Sequence, residues 1–534
     1  MLEAIVPGWI RVRLIRRTET TLSPAVADGS VAEGVESVDS AAFDQPSGEP
    51  ARPFQSVVAR SERRYVAILI TVAIFLFLIA VRLRTLYGFP AGDEPGYLVI
   101  SQTLEKYQSV DVMLDYNNHD YRSFSPGDLE PHVVTAANGR IEPMHNLGGP
   151  LLWLIPFMLF GRLGAVGFMA AVSVLIVWNI YYFLRERGID PFYSFVVSLL
   201  MAIASPVYTY AAMSFVEPIG ALMILYAVRV LLGPTLGPIR LMVAGIGLAL
   251  LPWIHSRFLM FTGLISLFFV FRIFRETGWS AWRRYLPLVI PVALSLILNE
   301  VYNVVYWGEV NPASNMSNVS GNRPFQVPFP VGFLGSMFDR QAGLISNFPI
   351  FFLVLTGLLL SLNRARLWTH TVLLTLTVPY VVLICTYSYW WGGYCPAARY
   401  IAAILPLFSY YLAFALQRIN STLVLCGMTV LGLGTYAMAL ASDIFPNDRF
   451  SAPGNHNYAL DRLSRLFHVN VARHIPSGWE AGNHPLFLTW FGATLLVALV
   501  LWAWGLRKPQ LPGQDWAPAP RSTRNRLWPH RGLS

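Results

Sequence analysis

The chain has 534 residues, of which 54% are hydrophobic and only 13% are Asp, Glu, Lys or Arg. Because a soluble domain carries about 25% charged residues, this composition excludes an ordinary soluble protein and predicts an all-α polytopic membrane protein. The formal charge of +9 does not indicate a nucleic-acid partner, since basic residues of membrane proteins collect in cytoplasmic loops.

The first 62 residues are predicted to form a disordered cytoplasmic tail, because they are rich in Ser, Ala, Glu and Asp and lack apolar periodicity. No basic segment leads into a short apolar one, so we expect no cleaved signal peptide. The first hydrophobic span then serves as an uncleaved anchor. Arg60 and Arg63 precede this span and predict a cytoplasmic amino terminus.

Residues 63–505 are predicted to form a transmembrane domain of about twelve spanning helices. The segments are 65–83, 163–184, 191–211, 216–233, 240–255, 258–274, 285–306, 346–362, 370–388, 400–416, 422–441 and 486–505. With the amino terminus inside, every predicted inner loop contains arginine, as the positive-inside rule requires. Residues 506–534, rich in Pro and Arg, are predicted to form a second disordered cytoplasmic tail.

Three long segments fall on the outer side, at about 84–162, 307–345 and 442–485. The first contains an apolar run at 151–160 that is too short to span a bilayer and predicts an interfacial or re-entrant helix. The third is long enough to hold a small helix near 458–467. Because the inner loops are short, the outer face is where we expect function.

Two adjacent carboxylates, Asp93 and Glu94, directly follow the first span. Carboxylates at the water-facing end of a membrane helix can supply a general base to an acceptor hydroxyl. Asp93 is therefore the first candidate for catalysis. The alternative is an ordinary solvated start of a loop.

Other polar side chains fall at predicted outer helix ends, where they could line one cavity. Guanidinium groups bind phosphate oxygens in a forked geometry, so the basic candidates for a donor phosphate are Arg399, Arg257, His255 and Arg340. The candidates for contact with a substrate are Tyr97, His145, Glu217, Glu300 and Tyr394. For several of these a structural role is the rival, such as an arginine that reaches to lipid headgroups or a glutamate on a helix dipole.

The pattern of Asp93-Glu94 after the first helix, Leu159-Phe160-Gly161 at the end of the first outer segment, and Glu217-Pro218 at a later span resembles the GT-C superfamily of membrane glycosyltransferases. It is most similar to lipid A aminoarabinose transferases and the catalytic core of protein O-mannosyltransferases. The resemblance implies an inverting enzyme of the inner (plasma) membrane with Asp93 as base. Its donor would be a sugar on a polyprenyl phosphate, transferred to a hydroxyl at the extracytoplasmic face.

Two departures from that family leave the substrates open. Aminoarabinose transferases commonly have Arg before Asp-Glu and Lys-Pro-Pro in the loop, whereas this chain has Gly92 and the segment 145–150, His-Asn-Leu-Gly-Gly-Pro. The sugar is therefore not specified. The acceptor could be a glycan, a lipid or a protein.

The sequence requires no cofactor, although Glu94 could orient the acceptor or hold a divalent metal such as Mg²⁺ or Mn²⁺. No spacing of Cys and His indicates a metal site, and no Gly-rich phosphate loop indicates a nucleotide. Two other classes stay open. A transporter or lipid flippase should carry its ionisable groups near the bilayer midplane, and a polysaccharide polymerase or ligase would also use outer loops and arginines.

Overall fold

Helices occupy all twelve segments in which the sequence predicts membrane spans. The computed structural model describes residues 52–310, 325–363, 366–445, 457–480 and 482–508. In chain order its helices are α1 (Arg52–Tyr87), α2 (Glu94–Tyr107), α3 (Met113–Asn118), α4 (Gly148–Leu152), α5 (Leu154–Phe160), α6 (Arg162–Glu186), α7 (Pro191–Ile203), α8 (Pro206–Tyr210), α9 (Glu217–Leu232), α10 (Pro238–Ile254), α11 (Leu259–Thr277), α12 (Leu286–Tyr302), α13 (Phe329–Phe338), α14 (Leu344–Asn347), α15 (Leu353–Ser361), α16 (Leu367–Thr386), α17 (Leu405–Ile419), α18 (Thr422–Ile444), α19 (Tyr458–Phe467) and α20 (His484–Arg507).

Short irregular elements join these helices. The 3₁₀ turns are Asp120–Ser123, Ser256–Phe258, Trp279–Arg284, Pro349–Phe352, Tyr400–Ala403 and Ala472–His474, and a π turn, Asn303–Trp307, extends α12. In the described part of the chain the strands are β1 (Val133–Thr135) and β2 (Ile141–Pro143), which pair antiparallel with Val134 opposite Glu142. The protein is thus an all-α polytopic membrane protein with one small hairpin.

Seven helical segments within the described ranges are long and apolar enough to cross a membrane. They are Glu62–Tyr87, Arg162–Glu186, Ser256–Thr277, Leu286–Trp307, Leu367–Thr386, Thr422–Ile444 and His484–Arg507. The helices at the other predicted spans are shorter. Among them α9 and α17 are buried over most of their length, so protein rather than lipid surrounds them. Such a helix need not match the thickness of the bilayer, because neighbouring helices cover its ends.

Proline breaks one predicted span into two helices. The segment 191–211 forms α7 and α8, separated at Ser205-Pro206. Pro206 lacks the N–H that would continue α7, and the Ser205 hydroxyl accepts a hydrogen bond from Val207 N at 3.1 Å. The break turns the chain into the buried segment that leads to α9.

Arginines predicted to face the cytoplasm gather at one end of the helices. Arg229, near the end of α9, donates two hydrogen bonds to the Glu186 carboxylate, at 2.8 and 3.0 Å, and Arg185 donates to Glu62 at 2.7 Å. The first residue of α9, Glu217, lies at the opposite end of the same helix, about 18 Å from Arg229 at 1.5 Å per residue. The basic end and the Glu217 end are therefore separated by more than half of the ~30 Å hydrocarbon core of a bilayer.

The structure adds detail in the predicted outer segments and at the start of the first helix. The predicted small helix near 458–467 is confirmed as α19, Tyr458–Phe467, and the apolar run 151–160 forms short helices, α4 and α5. An apolar helix that the sequence did not indicate, α13, lies within the segment 307–345. At the amino terminus α1 begins at Arg52, inside the predicted disordered tail. The rest of that tail and residues 509–534 lie outside the described residues.

Candidate active site

Four charged side chains from distant parts of the sequence meet at the starts of helices. Asp93 immediately precedes α2, Glu217 is the first residue of α9, Arg257 lies in the turn between α10 and α11, and Arg399 precedes the turn Tyr400–Ala403. We call these four residues the charge cluster. All four are sequence-predicted site residues, so the fold brings together candidates separated by up to 306 positions.

Arg399 is the centre of the charge cluster. Its Nε donates to Glu217 Oε1 at 2.8 Å, its Nη1 donates to the Gly392 carbonyl at 2.8 Å, and its Nη2 donates to the Asp93 carboxylate. Arg257 Nη2 donates to the same oxygen of Glu217 at 2.6 Å. The order Asp93, Arg399, Glu217, Arg257 therefore alternates in charge, and the two carboxylates balance the two guanidiniums.

Asp93 is the most accessible member of the charge cluster. The exposed fraction of its side chain is 26%, against 11% for Arg257, 6% for Arg399 and 0% for Glu217. A buried charge is tolerated when it is paired and hydrogen-bonded, which the alternating order provides. The arrangement thus leaves the Asp93 carboxylate partly accessible to solvent and keeps the two guanidinium groups largely buried.

Two buried polar atoms of the charge cluster have no hydrogen-bond partner among the described residues. They are Arg257 Nε and Glu217 Oε2. The Arg257 guanidinium stacks over the rings of Tyr400 and Phe258, with 4.6 and 5.1 Å between Cζ and the ring centroids. Buried polar groups are nearly always satisfied, so this N–H of Arg257 is available to an acceptor group.

Two ionisable groups at the mouth of the site have pKa values well below the usual range. Burial opposes ionisation of Asp93, but the adjacent Arg399 guanidinium outweighs it and holds the pKa of Asp93 at about 2. Burial lowers the pKa of His145 to about 4, although Asp93 acts in the opposite direction. At neutral pH the site therefore holds an ionised Asp93 and a neutral His145.

Aromatic packing fixes His145 beside Asp93. Its ring stacks on Tyr97 with 4.5 Å between centroids, and Tyr97 meets Trp153 edge-on at 6.1 Å. A Cβ on Gly96 would lie 2.5 Å from the His145 ring, so only glycine allows this approach. The predicted substrate residues Tyr97 and His145 thus do adjoin the charge cluster.

A glycine-containing loop holds both ends of the Asp93–Arg399 pair. Gly92 has φ of +61°, and a Cβ there would lie 1.9 Å from the Tyr394 carbonyl oxygen. Gly392 has φ of +93° and accepts the hydrogen bond from Arg399. Since residues with a Cβ rarely adopt these conformations, the glycines are what let the loop pass directly beneath Asp93. The close approach of the Tyr394 carbonyl thus explains why glycine occupies position 92 in this chain.

Glu94 does not join the charge cluster. Its fully buried carboxylate accepts hydrogen bonds from Ser214 N at 3.0 Å and Ala91 N at 3.3 Å, and it lies 3.6 Å from Arg84. The carboxylates of Asp93 and Glu94 are thus engaged by different arginines and do not form a site for a divalent metal. Among the described residues no group of three or more His, Cys, Asp or Glu is placed to hold one.

The remaining predicted site residues lie around the charge cluster or away from it. His255 is adjacent, and its Nδ1 accepts a hydrogen bond from Arg257 N at 3.3 Å. Arg340 instead donates to the Ala472 carbonyl at 3.0 Å and to Glu480, so it fastens the segment 457–480. Tyr394 contributes its carbonyl, while its side chain is exposed. For Glu300, near the end of α12, no contact with the charge cluster is found in the described chain.

Three residues that the sequence did not single out complete the surroundings. His132 Nδ1 lies 3.4 Å from His145 Nε2, Phe215 lies under the Arg399 guanidinium at 4.7 Å, and Gly392 binds Arg399. His132 stands in no recognisable motif. Phe215 and Gly392 are neighbours of Glu217 and Arg399 in the sequence, so proximity to those candidates was the available signal.

No protein-family model and no curated protein matches this chain. Solved structures that are similar to it include two of ArnT from Cupriavidus metallidurans. The structure bound to undecaprenyl phosphate is 12% identical with a TM-score of 0.42, and the apo structure is 14% identical with a TM-score of 0.42. Each similarity covers 83% of this chain and 77% of the other.

Proposed function

We propose that this protein is a membrane glycosyltransferase that moves a sugar from a polyprenyl-phosphate donor to an acceptor hydroxyl, with Asp93 as the general base. The observation that carries the proposal is the charge cluster itself. It combines one accessible carboxylate with two buried guanidiniums, one of which has an unsatisfied N–H. A base for the acceptor and positive charge for the phosphate are the two things that such a transfer needs.

The reaction is a single displacement at the anomeric carbon. The acceptor oxygen forms a bond to that carbon, the bond between the carbon and the phosphate oxygen breaks, and the acceptor proton passes to Asp93. Polyprenyl phosphate leaves with the electron pair of the broken bond, and Arg257 and Arg399 stabilise its charge. One displacement from the opposite face inverts the anomeric configuration.

Asp93 becomes an effective base only when its hydrogen bond with Arg399 opens. A carboxylate with a pKa of about 2 is a weak base for a hydroxyl. A donor phosphate that accepts this hydrogen bond in place of Asp93 and offsets the charge of Arg399 would weaken the main influence that lowers this pKa, so the basicity of Asp93 would rise. Donor binding would thereby prepare the acceptor site, and we infer that the donor binds before the acceptor.

The proposed site opens at the extracytoplasmic face of the cell membrane. Its four residues lie at helix starts, and the basic ends predicted to face the cytoplasm lie at the other end of α9. This position also disfavours a transport site, for which ionisable groups at mid-helix are expected. The polyprenyl chain would lie in the surrounding bilayer.

The decisive experiment measures transfer of labelled sugar from polyprenyl-phosphate donors in membranes that contain the wild-type protein or Asp93→Asn. Asp128→Asn is the matched control, because it makes the same change in the same outer segment at a side chain that is 87% exposed. We expect Asp93→Asn to lower transfer by a factor of at least about 100, with expression and melting temperature matched to the wild type.

Equal activity of Asp93→Asn and Asp128→Asn would remove Asp93 from catalysis. Absence of transfer by the wild-type protein across a broad donor panel would contradict the transferase proposal itself. That result would favour the transporter or polymerase alternatives.

A further inference from the structure

A small cavity with a mixed polar and apolar lining adjoins the charge cluster on the side of His145 and His255. Its free volume is about 70 Å³. Three parts of the chain form it, namely the segment after β2, the end of α10 with the following turn, and the end of α12. Its described lining residues are Pro143, Met144, His145, Asn146, Leu147, Pro252, Trp253, His255, Ser256, Leu259, Asn299, Tyr302, Asn303 and Trp307. We call it the neutral pocket.

The lining of the neutral pocket offers hydrogen bonds without charge. Three asparagines and one serine contribute amide and hydroxyl groups, and none of the described lining residues is Asp, Glu, Lys or Arg. Burial lowers the pKa of both histidines, and Arg257 and Arg399 lower that of His255 further. Both imidazoles are therefore neutral at physiological pH and can each donate or accept a hydrogen bond.

Aromatic rings form the apolar part of the same wall. Trp253 lies 5.7 Å from Tyr302 between centroids, and its indole N–H donates to the Ser295 hydroxyl at 2.9 Å, which fixes the ring. Trp307 lines the pocket at the end of the π turn. A combination of apolar rings with a few placed polar groups is typical of ligand sites. A sugar ring matches this combination, because its C–H faces can pack on the aromatic rings and its hydroxyls can bind the polar groups.

The π turn Asn303–Trp307 brings two lining residues, Asn303 and Trp307, to the neutral pocket. π turns are rare and are frequently found at functional sites. The side-chain amide of Asn303 makes one long hydrogen bond, in which its Nδ2 donates to Asn299 Oδ1 at 3.4 Å. Asn303 Oδ1 and Asn299 Nδ2 have no partner among the described residues, so they remain available to a ligand.

The neutral pocket admits part of one sugar ring. Its free volume of about 70 Å³ is less than half of the ~150 Å³ of a cavity that encloses benzene, so a pyranose would place one edge in the pocket and leave the rest outside it. The turn His255-Ser256-Arg257 connects the pocket to the charge cluster, since its first two residues line the pocket and the third binds Glu217. In a sugar phosphate the ring and the phosphate are likewise neighbours, joined through one oxygen.

We propose that the neutral pocket binds the sugar ring of the donor and that this sugar is uncharged, a neutral hexose rather than an amino sugar or a uronic acid. This inference rests on the proposed function. An ammonium or carboxylate group in the pocket would lose water without a charged partner among the described lining residues, and Asp93 beside His145 is already paired with Arg399, which disfavours binding of a charged sugar. The pocket thus discriminates between sugars first by their charge and then by their shape.

The test measures binding of polyprenyl phosphate and of its glucose, glucosamine and glucuronic acid derivatives to the full-length protein in lipid nanodiscs. We expect the glucose derivative to bind at least ten times more tightly than the other two sugar derivatives and than polyprenyl phosphate alone. Equal or tighter binding of a charged derivative would overturn the inference.

A charge placed in the neutral pocket tests the residue assignment. Asn303→Asp is nearly isosteric and should weaken binding of the glucose derivative at least ten-fold while it strengthens binding of the glucosamine derivative. Asn117→Asp, at an exposed position outside the pocket, is the matched control and should change neither. The same affinities in both variants would overturn the assignment.

Transfer assays on the same samples separate this inference from the proposed function. Selective binding of the glucose derivative without any transfer would support the pocket and contradict the transferase function. Transfer that favours glucosamine would support the function and overturn the neutral pocket. An effect of Asn303→Asp confined to the KM for the acceptor would show that the pocket holds the acceptor, which overturns the donor assignment.

Discussion

Asp93 and Arg399 share one hydrogen bond, and each modifies the other's chemistry. The guanidinium keeps the carboxylate ionised, with a pKa of about 2, and the carboxylate occupies a donor that a phosphate would otherwise use. While the two groups are paired, Asp93 is therefore a weak base and Arg399 Nη2 is not available to a phosphate. Because Arg399 also binds Glu217 and Gly392, it stays in place when the bond to Asp93 opens.

The pKa values of Asp93 and His145 predict how activity depends on pH. Both values are lowered, to about 2 and about 4, so the ion pair of Asp93 is present above its unfolded pKa and is lost only as the pH falls toward 2. His145 becomes charged only near pH 4. We expect kcat/KM for the donor to stay level between about pH 5.5 and 8, measured by initial rates of transfer.

A different pH profile would identify the group that titrates. An acid limb with a midpoint between about 6 and 7, the usual range of histidine, would contradict the lowered pKa of His145 if His145→Gln abolished that limb. The donor cannot produce such a limb, because its phosphodiester keeps one negative charge throughout the range.

At the scale of elements, the loop between α16 and the turn Tyr400–Ala403 determines where Asp93 lies. Its Tyr394 carbonyl packs against Gly92, and its Gly392 carbonyl binds Arg399. A change in this loop therefore moves both partners of the ion pair together. The sequence marks the loop by its aromatic residues and two glycines, but not its contact with Gly92.

Gly92→Ala tests this contact. A Cβ at Gly92 would meet the Tyr394 carbonyl at 1.9 Å and would also strain a backbone with φ of +61°. We expect Gly92→Ala to lower the melting temperature in detergent clearly more than Gly139→Ala. Gly139 has φ of +83°, but a Cβ added there would have no atom within 4 Å, so its variant measures the backbone strain alone, about 1–2 kcal/mol.

Transfer activity of the same two variants gives the functional readout. We expect it to fall in Gly92→Ala at a temperature where both variants remain folded. If the two variants have equal stability and activity, the loop does not hold Asp93.

The sequence predicts the helical elements well and the pairing of side chains poorly. Hydropathy and arginine positions locate all twelve helical segments, since both signals are local. The sequence does not show that Glu94 pairs with Arg84 while Asp93 pairs with Arg399. These two adjacent residues at a helix start point in different directions, and the direction of each is set only by the tertiary fold. The burial of α9 and α17 is likewise set by their neighbours, and their composition matches that of lipid-facing helices.

At the scale of the whole molecule, the charge cluster and the arginine-rich ends lie at opposite ends of the helices. Arg229, Glu186 and Arg185 mark one end, and Glu217 marks the other. This separation orients the protein if the arginines face the cytoplasm. The proposed active site would then face the outside of the cell.

Cysteine labelling tests this orientation. A cysteine at exposed Asn117 should react with a membrane-impermeant maleimide in intact cells, whereas a cysteine at exposed Ser280 should react only after the cells are opened. Both substitutions are made with Cys426→Ser, because Cys426 is the exposed natural cysteine within the described residues. If intact cells label the cysteine of Ser280→Cys and not that of Asn117→Cys, the topology is the reverse of the proposed one.

The balanced charge of the site bears on competition among lipids. A membrane contains phosphate headgroups in vast excess over any carrier lipid, and two unpaired arginines at a helix end would collect them. In this protein Asp93 and Glu217 already neutralise both guanidiniums, so a passing headgroup meets little net attraction. A phosphate that binds the paired N–H groups of Arg257 and Arg399 must displace an internal carboxylate, and contacts made by the sugar of a donor would offset that cost. We therefore expect the ion pairs to lower occupation of the site by the membrane's own lipids.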